Sequence, residues 1–161
     1  MQVYASTYHK YNSGNLAGDW LDITDYTDHE EFLAACRALH KDEPDPEFMY
    51  QDMEDDTGIL RHFFDESGID PELWEVLDYT DLTEQEEAVA AFLAIEGEWN
   101  RERFEDTYYG YFATPGEMAE SCAETSMDLS NIPSWVVIDW EATARNIDIF
   151  VEHDGHYFWN D

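Results

Sequence analysis

Asp52, Glu54, Asp56 and Gly58 stand where an oxygen-rich calcium loop would begin. Such a loop needs alternating oxygen ligands, a glycine at its sixth position for the sharp turn and a bidentate Glu at its twelfth. Counted from Asp52, the glycine falls seventh and the twelfth residue is Phe63, so the spacing fails. His153 and His156 flank Asp154-Gly155, and two imidazoles facing across a hairpin supply half of a tetrahedral metal site. The sequence places no third or fourth ligand, and ordinary hairpin polarity accounts for the pair. His9, His29, His40 and His62 show no ligand spacing. Acidic pairs such as Glu54 with Asp56 have the chemistry for general acid–base work. Among 39 carboxylates, however, such pairs arise by chance everywhere. No nucleophile elbow, phosphate loop or Cys/His pairing occurs. The expectation is a protein without catalysis, cofactor or metal.

The carboxylates themselves are the unusual chemistry. The 161 residues carry 39 acids against 7 Lys and Arg, a formal net charge of −32, with an isoelectric point near 4.1. Direct nucleic-acid binding needs a basic footprint, and docking on anionic lipid needs basic clusters, so both are excluded. High charge with modest hydrophobicity warns of disorder. Against it stand 9 Phe, 6 Trp and 10 Tyr and a 43% hydrophobic content, enough for a core. A chain that folds against this much self-repulsion has a use for the charge. No apolar run follows a basic start in the first twenty residues, and no stretch approaches 18 apolar residues, so neither export nor membrane insertion is expected. Cys36 and Cys122 lie far apart among apolar, helix-spaced neighbours, which predicts buried free thiols and a cytoplasmic compartment.

The elements that must carry these groups divide into thirds. Residues 2–8 alternate as a strand, 12–14 turn, and 15–24 (NLAGDWLDIT) return as a second strand. Thr27 with Glu30 reads as a capping box opening a helix with Phe32, Ala35, Cys36 and Leu39 on one face. Pro44 and Pro46 stop it, and 47–53 (EFMYQDM) supply a third strand. The middle reads as helical: a short apolar-periodic stretch over 59–64 closed by Gly68, then Asp70-Pro71 leading into Leu73, Trp74 and Leu77. Thr83 with Glu86 reads as a second capping box, for a helix through Ala88, Phe92 and Ile95 to Gly97. In the last third, 107–112 (TYYGYF) is strand-like, and Thr114, Pro115 and Glu117 open a helix ending near Met127. Asp154-Gly155 is a type I′ turn signal between 149–151 and 157–159. The expected fold is α+β, an elongated chain of three small subdomains: 1–60 (small antiparallel sheet plus helix), 61–103 (helical) and 104–161 (α+β).

Every segment is acidic, and residues 41–78 are densest, with 14 acids and 2 bases. No run of acids is long enough for a disordered tail, and the carboxylates interleave with core positions, so they belong on the outer faces of folded elements. Helical neighbours at i, i+3 and i+4 lie about 5–6 Å apart, and strand residues at i, i+2 about 6.7 Å. Duplex DNA carries one charge per roughly 1.7 Å of axis, so 32 charges at that density span about 54 Å, or about 16 base pairs. The plain alternative is a solvated acidic surface of the kind found on proteins from saline habitats. Trp135, Val136, Val137, Ile138 and Trp140 form a dense apolar cluster. Core packing is its default reading and a subunit interface the other.

Met1-Gln2-Val3-Tyr4, Lys10-Tyr11-Asn12-Ser13-Gly14 and Gly18-Asp19-Trp20 resemble the opening of ArdA-type antirestriction proteins. The stretch 133–145 (PSWVVIDWEATAR) is similar to that family's antirestriction motif, a hydrophobic run followed by I-D-Y-x-A-x-x-R. Ile138, Asp139, Ala142 and Arg145 match it, and Trp140 stands where the family usually has Tyr. Phe104-Glu105-Asp106 and the closing Asp154-Gly155-His156 hairpin also look familial. The resemblance implies a protein that mimics bent B-form DNA, occupies the DNA groove of Type I restriction–modification enzymes, and blocks restriction and often methylation. It implies three subdomains and dimerisation through the last. It also moves the cluster Trp135, Val136, Val137, Ile138, Trp140 toward a dimer contact.

On that reading the acids expected to replace phosphates are Asp42, Glu43, Asp45, Glu47, Asp52, Glu54, Asp55, Asp56, Asp65, Glu66, Asp70, Glu72, Glu75 and Asp78, with Glu84, Glu86 and Glu87 continuing the surface. Many weak contacts share the work, so neutralising any one acid in 42–78 is expected to leave inhibition nearly intact, while removing eight or more weakens it. The competing functional class is an acidic chaperone or assembly factor for a basic, nucleic-acid-associated protein. It explains the charge but not the terminal motifs.

Overall fold

The computed structural model describes residues 1–160. The fold is α+β in several small parts, and the chain forms two compact units, Met1–Ala90 and Ala91–Asp161.

The first unit begins with β1 (Gln2–Thr7), whose residues Val3 and Ala5 are buried. A short helix α1 (Tyr8–Asn12) follows at once, a helix absent from the sequence reading, and it leads into the turn expected at 12–14. Thr7 starts it by accepting the Lys10 amide through Oγ1. Next come β2 (Asp19–Asp22), α2 (His29–Leu39) and β3 (Phe48–Glu54). They form an antiparallel sheet of order β2-β1-β3, with a bulge in the β1–β3 pairing at Tyr4/Ala5. The helix α2 covers the sheet through Phe32 and Cys36; Phe32 packs against Tyr50, and Cys36 Sγ lies 3.9 Å from the Tyr50 hydroxyl. Burial pushes the Cys36 thiol up to about 11, so it stays protonated at neutral pH. Both cysteines are free and buried, as the sequence predicts.

The cap of α2 is shifted by one residue from the expected box. Asp28, not Thr27, accepts the Glu31 amide, and Glu31 in turn accepts from both the amide and the hydroxyl of Thr27. Residues 59–64 are also different from the helical reading. A 3₁₀ turn (Leu60–His62) leads into a two-stranded hairpin, β4 (Phe64–Asp65) and β5 (Gly68–Ile69). The helix α3 (Glu72–Thr83) begins as expected, with the Asp70 carboxylate accepting the Glu72 amide at 2.9 Å. Trp74 Nε1 donates to the Tyr26 carbonyl, tying α3 to the end of the sheet region.

Thr83 is the last residue of α3 rather than the cap of the next helix. Its hydroxyl donates back to the Tyr79 carbonyl, and Glu84 closes α3 in the left-handed conformation (φ 56°). The division between the units falls inside α4 (Glu86–Glu96). In the second unit, α5 (Arg101–Thr107), β6 (Tyr108–Tyr111), α6 (Pro115–Ser126) and α7 (Trp140–Ala144) precede the hairpin β7 (Phe150–His153) and β8 (His156–Trp159). The sheet order is β6-β8-β7. Asp154 (φ 49°) and Gly155 (φ 81°) both take the positive φ that a type I′ turn requires. Phe92, Phe104, Tyr108 and Phe158 form one aromatic cluster. Met118, Ala119, Cys122, Ala144 and Tyr157 form a second core, joined by Tyr109, Phe112, Trp140, Ile147 and Phe150.

Candidate functional site

Of the 39 acids, 38 lie among the described residues; taken as whole residues, Asp22, Glu43 and Asp55 are half-buried and the other 35 exposed, and the Asp55 side chain is withdrawn almost completely. The folded chain thus keeps nearly all its negative charge in water, where the effective dielectric is highest and repulsion weakest. The seventeen acids expected to form the working surface all belong to the first unit.

Local structure arranges some of them in rows. On α3, Leu73, Trp74, Val76, Tyr79 and Thr80 are buried, which leaves Glu72, Glu75 and Asp78 at three-residue spacing on the outer face, continued by Asp81. Each step advances about 4.5 Å along the helix axis, comparable to the 3.4 Å per phosphate on one DNA strand. On β3, Asp52 and Glu54 share the exposed face; they pair with Tyr4 and Gln2 of β1, whose other neighbours are Trp20 and Asp22 of β2. Glu86 and Glu87 occupy the first turn of α4, where the helix dipole favours them. Asp42, Asp45, Glu47, Asp56, Asp65, Glu66, Asp70 and Glu84 lie exposed in the connecting segments, in the β4–β5 hairpin or at helix ends.

These rows work against the fold that carries them. Like charges three or four apart on a helix destabilise it by about 0.2–0.5 kcal/mol per pair. Asp81 near the end of α3 and Glu96 at the end of α4 oppose the helix dipole, and neither helix has a basic residue in its last turn. Stability alone therefore does not explain where these acids are.

Two of the seventeen are occupied inside the protein. The Glu43 side chain, 12% accessible, accepts the Thr7 hydroxyl at 2.7 Å and lies 3.5 Å from Lys10 Nζ. The Asp55 side chain, 4% accessible, accepts the amides of Thr57, Gly58 and Arg61 and so holds the 55–61 turn together. Asp42 pairs with Lys10 at 2.9 Å while staying exposed, and that bond holds its carboxyl below the usual range. The Ser67 hydroxyl and amide do the same for Asp65. Among the described residues no three His, Cys, Asp or Glu side chains converge as metal ligands. His153 and His156 are a cross-strand pair; the His156 ring nitrogen lies 3.0 Å from the Tyr108 hydroxyl.

The second feature is the stretch 133–145. Core packing, the default for its apolar cluster, is overturned at three positions. Trp135 is 80% and Val137 92% exposed, and Val136 is also exposed. Ile138 and Trp140 are half-buried, and Trp140 packs on the core of the second unit. Asp139 caps α7, accepting the Ala142 amide at 2.9 Å; Ala142 is half-buried, and Arg145 is exposed at the end of that helix. Glu141 accepts the Gly116 amide and joins α7 to the start of α6. The motif is therefore a capped helix placed behind an uncovered apolar segment. Hydrophobicity alone could not separate that arrangement from a buried one.

No helix among the described residues is long and apolar enough to cross a membrane. A family model described as antirestriction protein (ArdA) matches residues 3–158. No curated protein matches the chain.

Proposed function

Because this chain belongs to the ArdA family of antirestriction proteins, we propose that it inhibits Type I restriction–modification enzymes by presenting its carboxylates in place of DNA phosphates. The observation that carries the reading is the exposed acidic surface of the first unit, where fifteen of the seventeen acids are exposed, those of α3 and β3 in rows. The enzyme's groove holds Lys and Arg that normally meet phosphates. The rows on α3 and β3, and the acids between them, meet those cations instead, with no catalytic step. Association is steered by the long-range field, so it is fast and weakens as salt rises. Restriction is blocked because the DNA site is occupied, and modification by the same enzyme is blocked for the same reason.

The reading includes a homodimer formed through residues 104–161, one of three subdomains (1–60, 61–103 and 104–161). The uncovered Trp135, Val136 and Val137 support it, since an apolar segment this exposed loses hydrophobic surface to water unless a partner covers it. Sedimentation equilibrium tests it. Val137→Asp is expected to give a folded monomer at concentrations where the parent is dimeric, because the side chain makes no demand on the protomer's own core. A monomeric parent overturns the dimer.

The mechanism is tested by titrating the protein into a Type I methyltransferase core already holding a labelled duplex. Displacement near one dimer per enzyme, weakening with salt, is expected. Exchanging Glu75 alone for Gln is expected to change the midpoint less than twofold, and exchanging eight of the exposed acids in 42–78 to raise it at least tenfold, in keeping with small worth per exposed ion pair. No displacement at low salt by the folded protein rejects the mechanism. Stable capture of isolated basic proteins without preference for the enzyme favours an acidic chaperone.

A further inference from the structure

The acids of the first unit are not all alike, because one of them borders a cleft with aromatic walls. The cleft has a volume of about 240 Å³ and lies where α2, β3 and the β4–β5 hairpin meet. Leu33, Phe48 and Ile69 give it apolar walls, Tyr8, His29 and Tyr50 contribute rings, and Glu47 is its carboxylate. No Lys or Arg lines it. Two backbone hydrogen bonds fix its sides, Tyr8 N–H to the Glu47 carbonyl at 3.0 Å and Tyr50 N–H to the Glu66 carbonyl at 2.8 Å. Negative charge converges on the same place. The Tyr8 hydroxyl has its pKa raised by burial first, and then by Glu66, Glu47 and Asp65.

We propose that this cleft receives the guanidinium of an arginine side chain from the target protein. The inference rests on the function proposed above and names one contact within it. Rings and a carboxylate at one site suit a planar cation that stacks and hydrogen-bonds together, and the apolar walls suit its methylene stem. A lysine ammonium is more strongly hydrated and gains less from the same walls. Because both sides are held by backbone bonds, little ordering is required on binding. Glu47 thus departs from the even sharing expected over 42–78: here a carboxylate and aromatic faces act on one cation.

The test uses Nα-acetylarginine amide and its lysine counterpart as probes at fixed ionic strength, followed by the methyl NMR signals of Leu33 and Ile69. The arginine probe is expected to shift these signals saturably and the lysine probe to bind at least threefold more weakly. Glu47→Gln and Tyr8→Leu are each expected to weaken arginine binding about fivefold. Equal binding of both probes, or shifts spread over the acidic surface without saturation at Leu33 and Ile69, overturns the cleft. In the displacement assay, Glu47→Gln is expected to weaken the protein about fivefold. Glu54→Gln, also exposed but outside the cleft, is expected to change it less than twofold. Equal effects of the two overturn the partner assignment. Should the parent protein displace no DNA at all, the function fails, and the probe titration still decides the cleft.

Discussion

Lys10 is the only one of the seven bases that is buried. Its ammonium lies 2.9 Å from His40 Nδ1, 2.9 Å from Asp42 and 3.5 Å from Glu43. An ammonium only donates, so Nδ1 accepts, and the other ring nitrogen, 3.3 Å from the Ala5 carbonyl, carries the proton. Desolvation alone would lower the lysine pKa, but the bonds and charges of Asp42 and Glu43 outweigh it and raise it. A raised lysine pKa stabilises the fold below the unfolded value, and that contribution is lost only as pH climbs through the folded value. Lys10→Met should therefore cost about 2 kcal/mol at neutral pH by leaving Glu43 without its cation. Urea unfolding with an unchanged slope measures it, and a loss under 0.5 kcal/mol refutes the role. Nothing in the sequence near Lys10 names these partners, which lie about thirty residues away and arrive only when β1 pairs with β3.

At the scale of elements, cap chemistry was legible and its register less so. Thr114, Pro115 and Glu117 open α6 as the sequence predicts, with Thr114 accepting the Glu117 amide at 3.2 Å. Thr114→Ala is expected to lower stability by about 1 kcal/mol, read as a shifted thermal midpoint; an unchanged midpoint would mean that the Thr114 hydroxyl adds nothing to stability. Before α2, Thr27/Glu30 and Asp28/Glu31 both have the capping spacing. The fold uses the second: Asp28 is the extended N-cap residue, and its side chain accepts the Glu31 amide. The Thr83/Glu86 spacing is not used as a cap. Buried Tyr79 and Thr80 keep α3 helical through Thr83, and the break comes at the left-handed Glu84.

Across the whole molecule, salt has opposite effects on folding and on the proposed binding. Raising ionic strength from 0.01 to 0.15 M shortens the screening length from about 30 to about 8 Å. Repulsion among 39 acids then falls, and the thermal midpoint should rise by about 3 °C or more, while inhibition weakens. A midpoint insensitive to salt would mean that self-repulsion is already relieved. The charge, its distribution on outer faces, the α+β character, the free thiols and the closing hairpin could all be read from the residues in order. Each of these follows from composition or from spacing within a few residues. Tertiary structure alone decided that Glu43 and Asp55 serve the fold, that Tyr8, Phe48, Ile69 and Glu47 meet in a cleft, and that Trp135 and Val137 are uncovered. Contacts between distant residues depend on strand pairing and helix packing, and burial depends on what lies opposite a side chain. Local spacing contains neither.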